Sequence, residues 1–249
     1  MSERGNGETG TTMTSDRLSI AGETNVGAGR LKNEDNYCIF TPTGFPAALA
    51  VVCDGIGGHR DGEVASMFCC RRLMAEFLRR GAGMRCAADA GAFLADVLTD
   101  VNARIFRRNE FDGRKFPMGC TAVAAIFTET ELAFCGVGDS RFYGFSPRSG
   151  ELAQLSEDDV CGGSRALSRA VGIRRRLEIE PKILPLGGDE VYLLCSDGLH
   201  HFVDDAGIAD ALRGSVTSRV AVNKLMRKAL LNGACDNVTI VAAWSRARS

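Results

Sequence analysis

The 249-residue sequence predicts an α+β sandwich, and three observations carry that prediction. Strand-like segments come in blocks instead of alternating one by one with helices, which disfavours a doubly wound parallel sheet. Helix-like segments form one adjacent pair and one later single. No repeat or linker divides residues 17–249, so one domain is expected after a Gly-, Ser- and Thr-rich, disordered tail at 1–16.

The first clear strand is the continuous apolar run 47–53, as expected where both faces are buried. It stops at Asp54-Gly55. From Gly62 to Gly81 the period turns helical, with Val64, Met67, Phe68, Met74, Phe77 and Leu78 on one side and Gly81 expected just past the helix end. A second helix carries Phe93, Val97, Val101 and Ile105 and is expected to end before a charged loop at 107–115. Segments 120–127, 131–137 and 141–145 read as three strands in an antiparallel meander. Strands are also expected at 177–183, 191–196 and 238–243, with a helix around Val220, Leu225, Met226, Ala229 and Leu230.

Composition excludes several function classes. Thirty Lys and Arg face 31 Asp and Glu, for a net charge of −1, so no nucleic-acid or membrane-surface binding is expected. No apolar run is long enough to cross a bilayer, and the N-terminal residues lack a signal-peptide core. A cytoplasmic monomer, with its thiols in a reducing compartment, is therefore the expectation. Ten cysteines fall mostly within apolar runs and form no Cys-x-x-Cys pair, so they read as small hydrophobes.

The informative pattern is where acids interrupt apolar strands. Val51-Val-Cys runs into Asp54-Gly55, Phe134-Cys-Gly-Val into Gly138-Asp139, and Leu193-Leu-Cys-Ser into Asp197-Gly198, while Asp236-Asn237 precedes the last strand. A single Asp-Gly signals a turn. Four such acids meeting at one edge would repel one another and raise their pKa values unless hard divalent cations held them. Upstream, Arg30 precedes Glu34 and Asp35; it is either surface charge or a fork for a phosphate.

Eight segments in order then carry a resemblance: Gly27 to Asp35, with the pattern Gly-x-x-Arg-x-x-Asn-Glu-Asp; Asp54-Gly-Ile-Gly-Gly-His59; Met118-Gly-Cys-Thr121; Val137-Gly-Asp-Ser-Arg141; Leu155-Ser-Glu-Asp158; Leu167-Ser-Arg-Ala-Val-Gly172; Leu194-Cys-Ser-Asp-Gly-Leu199; and Asp236-Asn-Val-Thr239. Together they resemble the PPM/PP2C metal-dependent Ser/Thr protein phosphatases, in particular the compact bacterial branch. The resemblance implies a β-sandwich of two mainly antiparallel sheets flanked by pairs of antiparallel helices. It implies two Mn²⁺ or Mg²⁺ ions, with Asp54 bridging them, the Gly55 carbonyl on one and Asp197 and Asp236 on the other. Glu34 and Asp35 would hold metal-bound waters or support the ligands from behind, and Asp139 with Asp197 would form a third metal site. Arg30 would bind the phosphate of a phosphoserine or phosphothreonine, and a bridging water would attack without a phosphoenzyme. Phosphorylated proteins are the implied partners, opposed by a Ser/Thr protein kinase of the same cell, in general signalling or in type VI secretion control.

Three departures stand out. Only 160–165 separates Ser156-Glu-Asp-Asp159 from Ala166-Leu167, so the family's mobile flap is nearly absent. Asp159 replaces the motif's usual His. Ile56 occupies the place of a catalytic His in eukaryotic members, which leaves His59 either to protonate the leaving group or to order its loop. The pair His200-His201 reads as surface or helix start. Two alternatives remain: a cysteine-dependent phosphatase built on Cys135-x5-Arg141, and a regulatory or binding module of the same fold with little or no catalysis.

Overall fold

Strand β4 (Ala48–Cys53) is apolar throughout because both its faces are covered. Leu49, Val51 and Cys53 face a layer of helices, whereas Ala48, Ala50 and Val52 face the opposite sheet. In this computed structural model, which describes residues 11–14, 18–41, 47–56, 61–84, 86–162 and 166–246, that pattern belongs to a four-layer α/β/β/α sandwich. The expected fold class holds.

One sheet runs in the order β1 (Thr11–Thr14), β2 (Leu18–Asn25), β13 (Val238–Ser245), β12 (Val191–Cys195), β9 (Arg141–Ser146) and β10 (Glu151–Gln154). The other runs β11 (Lys182–Pro185), β8 (Glu131–Val137), β7 (Ala122–Phe127), β4 and β3 (Asn36–Phe40). A short pair, β5 (Gly55–Ile56) with β6 (Gly119–Cys120), extends from the edge. Every named pairing is antiparallel. Between the sheets, Phe134 and Phe142 lie 4.7 Å apart and Tyr192 packs on Phe127 at 5.6 Å, so aromatic rings fill the interlayer gap. Helices α1 (Gly62–Arg80) and α2 (Ala87–Phe111) cover the second sheet, and α3 (Asp197–His200), α4 (Asp205–Arg213) and α5 (Ser218–Leu231) cover the first.

Several expectations need correction. Within the predicted tail, Thr11–Thr14 pairs with β2; β-branched threonines suit an edge strand. The rest of 1–10, with 15–17, lies outside the described residues. The meander breaks after β8, because β9 pairs with β12 in the opposite sheet. Gly138 makes that crossing possible: its φ is +95°, and a Cβ there would stand 2.6 Å from Thr121 Cγ2.

The buried face of α1 is also different. Ala65, Ser66, Cys69, Cys70, Leu73 and Phe77 are buried, whereas Val64 is 37% and Leu78 49% exposed. Small residues fill the first turns of that face, and Leu73 and Phe77 fill the later ones. Gly81 opens a short 3₁₀ turn with φ −63°, so it is not a left-handed cap. Helix α2 continues to Phe111, through the expected loop, because buried Asn109 bonds Met118 and Gly172. Of the segment 177–183, only its end joins a strand, β11.

Antiparallel pairing delivers the acids to one edge. Cys53 at the end of β4 lies opposite Asn36 at the start of β3, and Ala122 at the start of β7 lies opposite Val137 at the end of β8. In the other sheet, Cys195 at the end of β12 lies opposite Ile240 of β13 and Arg141 of β9. The residues just beyond those ends include Asp35, Asp54, Asp139, Asp197 and Asp236.

Candidate functional site

Asp54 follows β4 directly, and Thr121 holds it from both sides. The Asp54 amide donates to Thr121 Oγ1 at 2.9 Å, and the Thr121 amide donates to the Asp54 carbonyl at 2.8 Å. Burial pushes the Asp54 carboxyl well above the ordinary carboxylate range, and Asp35, Asp197, Asp139 and Asp236 push it further in the same direction. Four acids from distant parts of the chain thus act on one carboxyl.

Asp35 is buried at the start of β3. Its Oδ2 accepts from Ser196 Oγ and Thr239 Oγ1, both at 2.7 Å, while its Oδ1 is buried without a hydrogen-bond partner. Desolvation raises it to about 7 against those two bonds. Asp139, at the β8–β9 crossing, rises to about 6 through burial and the nearby Asp197. At Asp197, burial alone would raise the pKa, but a hydrogen bond from His201 leaves it below the usual value. His201 Nδ1 lies 3.2 Å from Asp197 Oδ2.

Asp236 accepts from the Arg30 guanidinium at 2.8 Å and from the Asn237 amide at 2.8 Å. Asn237 staples the Arg30 loop in place: its Oδ1 accepts the Glu34 amide at 2.8 Å, and its Nδ2 donates to the Val26 and Lys32 carbonyls. Arg30 is exposed, with its pKa raised chiefly by the Asp236 hydrogen bond. Glu34 lies beside the start of α1, and burial together with Glu63 raises its pKa. Gly55 is required by close packing, since a Cβ there would stand 2.4 Å from Gly62 backbone and 2.6 Å from the Glu34 carbonyl oxygen.

The edge therefore gathers Arg30, Glu34, Asp35, Asp54, Gly55, Asp139, Asp197 and Asp236. His59 and residues 163–165 of the shortened flap lie outside the described residues. Around the gap left by the flap, the Cys161 amide donates to the Ala166 carbonyl at 2.8 Å and Val160 pairs with Leu167. Asp159 anchors this turn to the acid edge, accepting from the Gly138 amide at 3.0 Å and pairing with Arg169 at 3.1 Å.

The helix-start reading of the His pair holds, since α3 spans Asp197–His200 and His201 follows it exposed, but His200 is not a surface residue. His200 Nε2 lies 3.0 Å from the Asp139 carbonyl oxygen, and burial lowers the ring to about 4, so it is neutral at pH 7. Their sequence signal was their place one residue beyond Asp197-Gly198, after Leu199. Thr121, Ser196, Asn237 and Thr239 also stood inside the quoted motifs, but nothing in the sequence showed which acid each one holds.

The donor set suits hard cations. It offers oxygen ligands, mutual repulsion for a cation to relieve, and a buried carboxylate oxygen lacking a partner on Asp35. It is more open than a three-ligand cage. Among the described residues, the only trio of potential ligand atoms within 4.8 Å of one another is Cys53, Cys69 and Cys120, buried beneath the site. Wider carboxylate spacing fits ions that retain several waters. Cys135 is no alternative nucleophile: burial pushes its thiol up to about 12, and Arg141 is taken by Asp158 at 2.7 Å.

Comparisons with known proteins agree. A serine/threonine phosphatase stp from Listeria innocua is 29% identical over 236 residues, covering 88% of this chain and 92% of its own. The serine/threonine protein phosphatase PstP of Mycobacterium tuberculosis is 33% identical over 91% of this chain, which spans 45% of that longer protein. The crystal structure of the PstP catalytic domain with two manganese ions superposes with a TM-score of 0.78 at 29% identity, covering 93% of this chain and 99% of that one. Residues 23–232 match the protein phosphatase 2C family as a whole, and with that span, this order of motifs and this acid edge, the chain belongs to the protein phosphatase 2C family.

Proposed function

We propose that the protein is a metal-dependent phosphatase that hydrolyses phosphoserine and phosphothreonine in proteins, reversing the action of a Ser/Thr kinase in the cytoplasm. The observation that carries this reading is the pressure of Asp35, Asp139, Asp197 and Asp236 on the single carboxyl of Asp54. Among the described residues, no helix is long and apolar enough to cross a membrane.

Asp54, the Gly55 carbonyl, Asp197 and Asp236 would hold two Mn²⁺ or Mg²⁺ ions, and Asp139 with Asp197 a third. Bound there, the ions would supply Lewis acidity and a water acidified toward neutral pH. The chain's own residues do the rest. Arg30 lies beside Asp236 at the exposed rim, where its fork can grip two phosphate oxygens and offset their charge. Asp35 and Glu34 accept protons from bound waters, and Ser196 and Thr239 keep Asp35 aimed inward. Water adds to phosphorus, the bond to the seryl or threonyl oxygen breaks, and His59 protonates that leaving oxygen. Nothing in the acid set favours a module without catalysis.

The test is hydrolysis of p-nitrophenyl phosphate and a phosphothreonine peptide in Mn²⁺, with and without EDTA, by wild type, Asp54→Asn and Asp236→Asn. Activity that persists in EDTA, or in both variants, would overturn the reading.

A further inference from the structure

The C-terminal half of α2 and the segment after Gly172 together expose a dense set of arginines. Arg104, Arg108 and Arg114 are neutralised locally, by Asp100, by Asp112 and by Asp61 with Asp112. Arg107, Arg175 and Arg176 have no ion pair among the described residues. They line one surface groove of about 910 Å³ with Ala103, Phe106 and a single acid, Glu110.

The groove is built on rigid supports. Buried Asn102 accepts the Gly172 amide at 2.8 Å and donates to the Arg174 carbonyl at 3.0 Å, and buried Asn109 donates to the Gly172 carbonyl at 3.0 Å. Gly172 itself has φ +90°, and a Cβ there would stand 2.3 Å from Ile105 Cγ2. Its backbone is therefore pinned to α2, and the cations that follow it are presented from a fixed base.

The groove is also within reach of the acid edge. Gly55–Ile56 pairs with Gly119–Cys120, and Cys120 pairs in turn with Val171. Two strand spacings put Val171 about 10 Å from Gly55. An extended peptide advances ~3.3 Å per residue, so ~10 Å takes about three residues, and the further step from Val171 to Arg175 and Arg176 puts the groove roughly four to six residues from a phosphate held by Arg30 and Asp54.

We propose that this groove docks an acidic stretch of the phosphoprotein substrate, roughly four to six residues from the phosphorylated Ser or Thr. The proposal rests on the phosphatase reading and names its substrate class. Three unpaired cations over an apolar floor match a short run of Glu or Asp, whose methylenes can lie on Phe106. The carboxylate of Glu110 on the same wall disfavours a continuous polyphosphate backbone.

The test compares two phosphothreonine peptides in Mn²⁺, one with three Glu at those positions on either side and one with Gln instead. Wild type should prefer the Glu peptide by roughly tenfold in kcat/KM, through KM, with the preference shrinking as salt rises. The variant R107E/R175E/R176E should lose or invert the preference while its turnover of p-nitrophenyl phosphate stays at the wild-type level, which also certifies its fold. Fluorescence anisotropy of the two peptides, measured without turnover, should show the same order, so the proposal is tested even if phosphatase activity is absent. Equal treatment of both peptides by wild type would overturn it. So would displacement of the Glu peptide by a DNA duplex that binds wild type but not the variant.

Discussion

Thr121 and Asp54 hold each other through a reciprocal pair of hydrogen bonds: the Asp54 amide donates to the Thr121 hydroxyl at 2.9 Å, and the Thr121 amide donates to the Asp54 carbonyl at 2.8 Å. The same hydroxyl lies 2.6 Å from Ser140 Oγ, which follows Asp139. One buried side chain thus links two acids of the candidate centre. Thr121→Val keeps the shape but strands the Asp54 amide and the Ser140 hydroxyl. A loss of about 1–3 kcal/mol in stability is expected from denaturant melts. Metal-dependent activity should fall as well, and Thr121→Ser should recover most of both. Full activity in the valine variant would show that the clamp does not position Asp54.

Asp54→Asn should lower Mn²⁺-dependent hydrolysis of p-nitrophenyl phosphate by on the order of 10³-fold, since it removes the charge on which the other acids converge. The matching control is Cys135→Ser, whose buried thiol points into the core and should be dispensable for turnover. The reverse ranking of these two variants would exclude a metal mechanism.

Proton and metal compete at this edge. Asp35 is raised to about 7 and Asp139 to about 6, from an ordinary value of 3.8. A raised carboxyl means that the folded chain keeps protons the unfolded chain has already released. Stability from these groups is therefore full at low pH and is lost as pH climbs through 6 and 7. In EDTA, Tm should decline across that window, whereas the Tm gain on adding Mn²⁺ should grow, because the ion replaces protons. Thermal melts at a series of pH values check both slopes; a metal-induced gain that shrinks with rising pH would contradict the assignment.

Gly27 packs against the backbone that presents Asp236. Its φ is +72°, and a Cβ there would come within 1.9 Å of the Asp236 carbonyl oxygen. Gly27→Ala should cost about 2–4 kcal/mol, from strain and displacement together, and should loosen the Arg30 loop. Urea melts and the KM for a phosphopeptide measure the two effects separately.

Much of the architecture was legible along the chain. The apolar run of β4, the period of α2 and the identity of the acids at strand ends are local properties, because burial on one or both faces dictates side-chain type residue by residue. The buried residues of α1 were not legible: Ala65, Cys69 and Cys70 lie against the sheet, while the larger Val64 and Leu78 face outward. Edge strand β10 was missed because its exposed side chains carry no apolar pattern.

The sequence by itself determined which carboxylates were available and that each stood at the end of a strand. Only the tertiary structure decided that they meet. That convergence depends on antiparallel pairing between residues far apart in the chain, and on the turn at Gly138 that carries β9 into the opposite sheet. It also decided that His200 and His201 stand beside Asp139 and Asp197, and that Asp159 anchors the shortened flap. Local patterning records whether a side chain is buried; long-range pairing chooses its neighbours, and the charge it feels comes from those neighbours.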